Sequence, residues 1–251
     1  MTAIRIGLRV LGLGLGTAVW FGVFALWFLP WPTQRRRGHC RDRVVHHWSR
    51  WVLRIAGVRV QIDGQPPTGG GLLVANHLSY LDIPVLASVR PVSFLSKAEV
   101  AHWPVLGWLV RAVGVQLVQR EDKRSLPQVA GRLVDEVARG HLVLFFPEGT
   151  STSGDALLPF RPALLAPAAA TQLPVHHVAL RYGTPADSPP AREAVCWWGD
   201  MGFGSHALRL LGLPRIDARV RFGREAVVRG ERKELARALQ EGVAGDLAAM
   251  G

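Results

Sequence analysis

The chain has 251 residues, enough to bury one sizeable core, and carries a net charge of +11, almost entirely on arginine. That balance suits an anionic membrane surface, nucleic acid or acidic soluble partners, and position along the chain must choose among them. Two cysteines, Cys40 and Cys196, far apart in unrelated contexts, exclude a disulfide framework and a zinc pattern and point to a reducing compartment.

Residues Val10 to Trp31 carry no charge and include Trp20, Phe21, Phe24, Trp27, Phe28 and Trp31. Their length matches a membrane helix of ~20 residues. Arg5 and Arg9 would also suit a signal peptide, but Phe28-Leu29-Pro30-Trp31 offers no small-residue cleavage site, so a retained anchor is predicted. Arg35, Arg36, Arg37, Arg41 and Arg43 outweigh Arg5 and Arg9, which places the rest of the chain on the cytoplasmic face of the inner membrane. Gly12 and Gly16 have the small-residue spacing that lets helices approach closely. From Arg41 to Ala56, Val44, Trp48, Trp51 and Ile55 recur at helical spacing among basic residues, which predicts an interfacial amphipathic helix. Residues 1–56 are thus expected to form the membrane part, as a span or as one hairpin dipped into a leaflet, and 57–251 a separate folded domain. The densest arginine run adjoins this anchor rather than an aromatic-studded sheet face, which argues against nucleic acid.

Beyond Val58 the pattern alternates. Strands are predicted at Val58–Ile62, Leu72–Ala75, Val92–Leu95, Val115–Val118, Leu142–Phe145, Val175–Leu180, Ala194–Trp198 and Ala218–Phe222. Helices are predicted at Tyr80–Val89, Val105–Val113, Leu126–Arg139, Pro162–Gln172, His206–Leu211 and Glu231–Ala249. The alternation predicts an α/β layered domain with a largely parallel sheet. In such a sheet ligands gather outside the carboxyl ends of the strands, and His77, Arg120, Glu148, Gly149 and Thr150 all fall just after predicted strands.

His77 and Asp82 lie five positions apart, about 140° around a continuous helix, so they share no helical face. A strand-to-helix junction brings them together: His77 on the turn, Asp82 at the helix N-terminus, with Pro84 confined to the first turn. A carboxylate there can accept from one imidazole nitrogen and leave the other as a proton acceptor, a general base. The same residues fit a helix-capping box, Ser79-x-x-Asp82. The pairs His46-His47 and His176-His177 point in different directions and lack a third ligand at suitable spacing, so no metal site is expected.

Asn76-His77 with Asp82 is similar to the histidine-x4-aspartate block of the 1-acylglycerol-3-phosphate acyltransferase family. Gly114-Val115-Gln116-Leu117-Val118-Gln119-Arg120 resembles its second block, Phe146-Pro147-Glu148-Gly149-Thr150 its third, and Leu173-Pro174-Val175, more weakly, its fourth. The resemblance implies acyl transfer from a thioester, on coenzyme A or acyl carrier protein, to the free hydroxyl of a lysolipid, with no bound cofactor. It implies His77 as base, Asp82 as its orienter, Arg120 as a phosphate ligand, Glu148 bonding to glycerol hydroxyls or ordering loops, and Gly149-Thr150 offering backbone N–H groups. The chain has no Gly-x-Ser-x-Gly nucleophile motif, which fits direct transfer. Ser151-Thr152-Ser153-Gly154 stands where the family usually has Arg-Ser. That departure, the run Leu158-Pro159-Phe160-Arg161-Pro162-Ala163-Leu164-Leu165 with proline where many members have glycine, and Trp198-Gly199-Asp200-Met201 look closer to the lyso-ornithine lipid acyltransferase branch. The leading expectation is 1-acylglycerol-3-phosphate as acceptor, the alternative lyso-ornithine lipid. A non-enzymatic adaptor whose arginines bind anionic lipids is the alternative of a different class.

Overall fold

The computed structural model describes residues 2–28, 34–97, 116–118 and 126–251. Two helices lead the chain, α1 (Thr2–Phe28) and α2 (Gln34–Ala56). Helix α1 begins well before the uncharged run and includes Arg5 and Arg9; α2 begins before the predicted amphipathic stretch, while Trp31 lies outside the described residues. The two helices run antiparallel. A side chain on Gly16 would collide with the Trp51 ring, one on Gly12 would touch Ile55, and the Trp48 indole donates to Thr17 at 3.3 Å. The small residues therefore serve close packing within the chain, as their spacing allows.

The sheet follows. Its strands are β1 (Val58–Asp63), β2 (Gly71–Ala75), β3 (Ser93–Lys97), β4 (Gln116–Val118), β5 (Leu142–Phe145), β6 (Val175–Gly183) and β7 (Ile216–Phe222). Among the described residues they form one seven-stranded sheet in the order β1-β7-β6-β2-β5-β3-β4. Every pairing is parallel except β6 with β7, in accord with the sequence pattern. The helices between and after them are α3 (Asp82–Val89), α4 (Leu126–Ala138), α5 (Pro162–Thr171), the short α6 (Ala191–Ala194), α7 (Phe203–Gly212) and α8 (Arg232–Ala249). The predicted helix Val105–Val113 lies outside the described residues.

Side chains alternate across each strand and so feed two cores. Leu73, Ala75, Leu142, Leu144 and Leu180 pack on one face with Leu53 of α2 and Val85 and Leu86 of α3. Leu72, Val74, Val143, Phe145 and Ala179 pack on the other with Leu165 of α5 and Leu235 and Leu239 of α8. Helices on both faces of a sheet give a three-layer domain with strand ends exposed along one edge.

One predicted strand is corrected. Ala194–Trp198 is not in the sheet: Pro190 caps the helical turn α6, and the chain then runs as a loop whose Trp197 N–H donates to Leu78 O at 2.8 Å. Short apolar runs read alike as strand or buried loop, and here packing against the His77 loop decides.

Helix α1 joins the domain at its start. Arg5 donates to Gly212 O at 2.8 Å, and Arg9 to Leu211 O at 3.0 Å and Leu213 O at 2.6 Å. Cationic donors on the last carbonyls of α7 cap it and oppose its dipole. Away from these contacts Ile4, Leu8, Leu11, Leu15 and Val19 form a stripe on α1, each more than half exposed.

Candidate active site

The turn between β2 and α3 folds His77 back onto Asp82. Nδ1 of His77 lies 2.7 Å from Asp82 Oδ2, the same oxygen that accepts from the Leu78 N–H at 2.6 Å and the Ser79 N–H at 3.0 Å. Tyr182 of β6 donates its hydroxyl to Oδ1 at 2.8 Å. Four donors thus hold a carboxylate that is 0% exposed. The bond assigns the proton to Nδ1 and leaves the Nε2 lone pair free; the imidazole is 21% exposed, so that nitrogen is reachable. Ser79 does not cap α3: its N-cap is Leu81 with no side-chain bond, and the Ser79 hydroxyl has no partner among the described residues, while its backbone N–H donates to the Asp82 carboxylate that orients the ring.

Three neighbours fix the ring and its loop. Phe146 stacks on the imidazole, centroids 4.0 Å apart and planes 13° off parallel. Thr152 donates its N–H to His77 O at 2.9 Å. Asn76 spends its amide on Leu180, donating to the carbonyl at 2.9 Å and accepting from the N–H at 2.8 Å, which pins the end of β2 to β6. Asn76 is therefore a clasp, a role its place in the motif did not announce.

Glu148 bonds two loops of the site together. It is 2% exposed, and its oxygens accept from the backbone N–H of His77 at 2.7 Å and of Leu158 at 2.9 Å. Burial pushes its carboxyl above the ordinary value against the pull of those two bonds. Gly149 follows at φ +80, a left-handed turn that favours glycine, and its N–H closes the turn on Phe146 O at 3.2 Å. Of the two residues expected to offer backbone donors, this leaves Thr150, which is exposed.

Arg161 is a cation beside the site to which sequence reasoning gave no role. Its backbone N–H bonds Pro147 O at 2.9 Å, and its guanidinium lies over Gly149, where an added Cβ would meet Cζ and Nε at 2.8 Å. Among the described residues no carboxylate pairs with it, and it is exposed. Twelve positions separate it from Gly149 in sequence, so no motif spacing flagged it. Arg120, the predicted phosphate ligand, lies outside the described residues.

The cysteine nearest the site does not suit covalent chemistry. Cys196 is buried with its thiol pushed up to about 12 by that burial, and a protonated thiol is a poor nucleophile. A partly exposed imidazole oriented by a buried carboxylate, with no activated nucleophile beside it among the described residues, is equipped to deprotonate a substrate hydroxyl directly.

Comparison with known proteins agrees. An acyltransferase family model matches residues 57–181. A lyso-ornithine lipid O-acyltransferase of Pseudomonas aeruginosa is 34% identical over 94% of this chain and 88% of its own length. The chain belongs to the acyltransferase family and is an O-acyltransferase. A second lyso-ornithine lipid O-acyltransferase, from Rhodobacter capsulatus, is 38% identical over 67% of this chain, a match spanning 62% of that relative's length. A 1-acyl-sn-glycerol-3-phosphate acyltransferase of Neisseria meningitidis is 33% identical over 72% of this chain and 71% of its own. The crystal structure of the 1-acyl-sn-glycerophosphate acyltransferase PlsC from Thermotoga maritima superposes with TM-score 0.73 at 18% identity, covering 100% of this chain and 98% of the other, and so shares the fold.

Proposed function

We propose that the chain transfers a fatty acyl group from a thioester to the free hydroxyl of a lysolipid at the cytoplasmic surface of the inner membrane. The observation that carries this reading is the 2.7 Å contact between His77 and Asp82, which leaves Nε2 as the accessible base. Nε2 takes the hydroxyl proton as the alcohol oxygen attacks the thioester carbonyl. Asp82 holds the imidazolium so formed. The tetrahedral adduct then collapses, the C–S bond breaks, and the leaving thiolate recovers the proton from Nε2. The donor is coenzyme A or acyl carrier protein; no bound cofactor enters a step.

The acceptor best supported is lyso-ornithine lipid, since the relative matching nearly the whole chain carries that activity. This reverses the order expected from sequence. Arg161, over the Gly149 turn, supplies a cation for an anionic head group, which the carboxylate of an amino acid provides. The second reading, 1-acylglycerol-3-phosphate, is favoured by the Neisseria relative and by the suitability of a guanidinium such as that of Arg161 for a phosphate.

The membrane part, 1–56, reads as a hairpin lying in one leaflet. Helix α1 has the length and apolarity to cross a bilayer, yet its start is tied to the domain and α2 returns there with its arginines. Those arginines have no place at the core of a bilayer, whereas an exposed apolar stripe along α1 suits a helix in the interface plane.

The test is transfer by the purified full chain in anionic vesicles, given one acyl thioester and a panel of lysolipids. Acylation of lyso-ornithine lipid in preference to 1-acylglycerol-3-phosphate supports the first reading. The opposite preference supports the second, and no acylation of any lysolipid overturns both.

A further inference from the structure

Asp82 has two oxygens and unequal company. Oδ2 receives His77 and two backbone N–H groups, while among the described residues Oδ1 receives only the Tyr182 hydroxyl, at 2.8 Å. The carboxylate is 0% exposed and Tyr182 8%, so water is a poor substitute for that donor. We propose that Tyr182 is a positioning residue of the acyl-transfer site, its hydroxyl fixing the plane of the Asp82 carboxylate so that Oδ2 stays aimed at His77 Nδ1. The inference rests on the reading of His77 as the base.

The fold sets this contact by register. Asn76 clasps Leu180 immediately beside the base loop, and two residues on, on the same face of β6, Tyr182 points at Asp82. Antiparallel pairing of Tyr182 with Ala218 of β7 holds that stretch of β6 in the sheet. The donor is a rigid ring on a central strand rather than a loop side chain. Burial, with the Asp82 charge beside it, pushes the phenol well above its ordinary value, so the hydroxyl keeps its proton wherever the enzyme works. A buried tyrosine satisfied on a backbone carbonyl would serve packing alone. This one is spent on the carboxylate that aims the base.

Tyr182→Phe retains the ring and removes only the oxygen, and the test compares it with His77→Ala, Asp82→Asn and the Asp82→Asn/Tyr182→Phe double variant, all as full chains in vesicles. The expected result is a kcat about tenfold lower for Tyr182→Phe at unchanged lysolipid KM. In the Asp82→Asn background the same change has no further effect on kcat, because the carboxylate it positions is gone. Thermal melting and membrane retention verify that each variant is folded. A folded Tyr182→Phe with the parent kcat overturns the proposal, as does an equal loss of kcat in both backgrounds, which would mark a packing role. Full activity of His77→Ala would instead overturn the base reading on which it depends.

Discussion

Glu148 accepts the backbone N–H of His77 at 2.7 Å, so the third motif of the site is bonded directly to the first. The grip spans two loops, because its other oxygen takes the Leu158 N–H at 2.9 Å. Glu148→Ala leaves two partly buried donors without that partner, a cost of about 1 kcal/mol each. Melting temperature should fall, and kcat should fall more steeply than any rise in KM. A variant with parent kcat would show that the His77 loop holds itself.

Arg161 should report on the head group. Arg161→Ala is expected to raise KM for an anionic lysolipid about tenfold with little change in kcat, since a contact made equally in ground and transition states affects binding alone. Initial rates against lysolipid and against thioester, varied separately, place the cation. A rise confined to the thioester KM would move Arg161 to the donor.

Gly16 and Trp51 set the spacing of α1 and α2, because any Cβ on Gly16 would overlap the indole. Gly16→Leu should force α1 and α2 apart at a cost of roughly 1–3 kcal/mol. Co-sedimentation with anionic vesicles should drop while the transfer rate toward a short-chain, water-soluble lysolipid is retained. Unchanged sedimentation would mean that the exposed stripe of α1 binds lipid irrespective of α2.

A second buried carboxylate–histidine pair ties α2 to the sheet far from the base. Asp42 accepts from His141 Nδ1 at 2.6 Å and from Arg41 at 2.9 Å, and Arg41 also bonds Ser93 and Glu136. Burial pushes the Asp42 carboxyl up, but the His141 hydrogen bond and the Arg41 charge outweigh it and leave it lowered. A carboxylate lowered on folding stabilises the fold above its unfolded value of ~3.9, and that contribution is lost as pH falls through the folded value. Asp42→Asn should therefore melt lower at neutral pH, by an amount corresponding to about 3 kcal/mol. The gap should close in acid. A gap that persists undiminished below pH of about 3 would assign the loss to packing.

The layers and the first motif were legible in the sequence because both rest on local rules. Short continuous apolar runs such as Leu72–Ala75 mark strands buried on both faces, and a histidine and an acid five apart after one require a turn. What escaped was set by distant chain. Tyr182 lies past the predicted end of β6 at Leu180, where Arg181 reads as a boundary, yet pairing with β7 carries the strand to Gly183. Arg161 reaches Gly149 only because Phe160 and Leu165 anchor that stretch in the core. The Ala194–Trp198 run reads as strand by composition and is captured by the His77 loop instead. In each case tertiary pairing overrode local preference.

The most direct test of the whole account is turnover by His77→Ala, measured with lyso-ornithine lipid and an acyl thioester in vesicles, on protein whose melting temperature and membrane retention match the parent. The geometry predicts loss of transfer by a factor on the order of 10²–10⁴, the contribution of a positioned general base. Turnover at the parent rate in that folded, membrane-bound variant would contradict it.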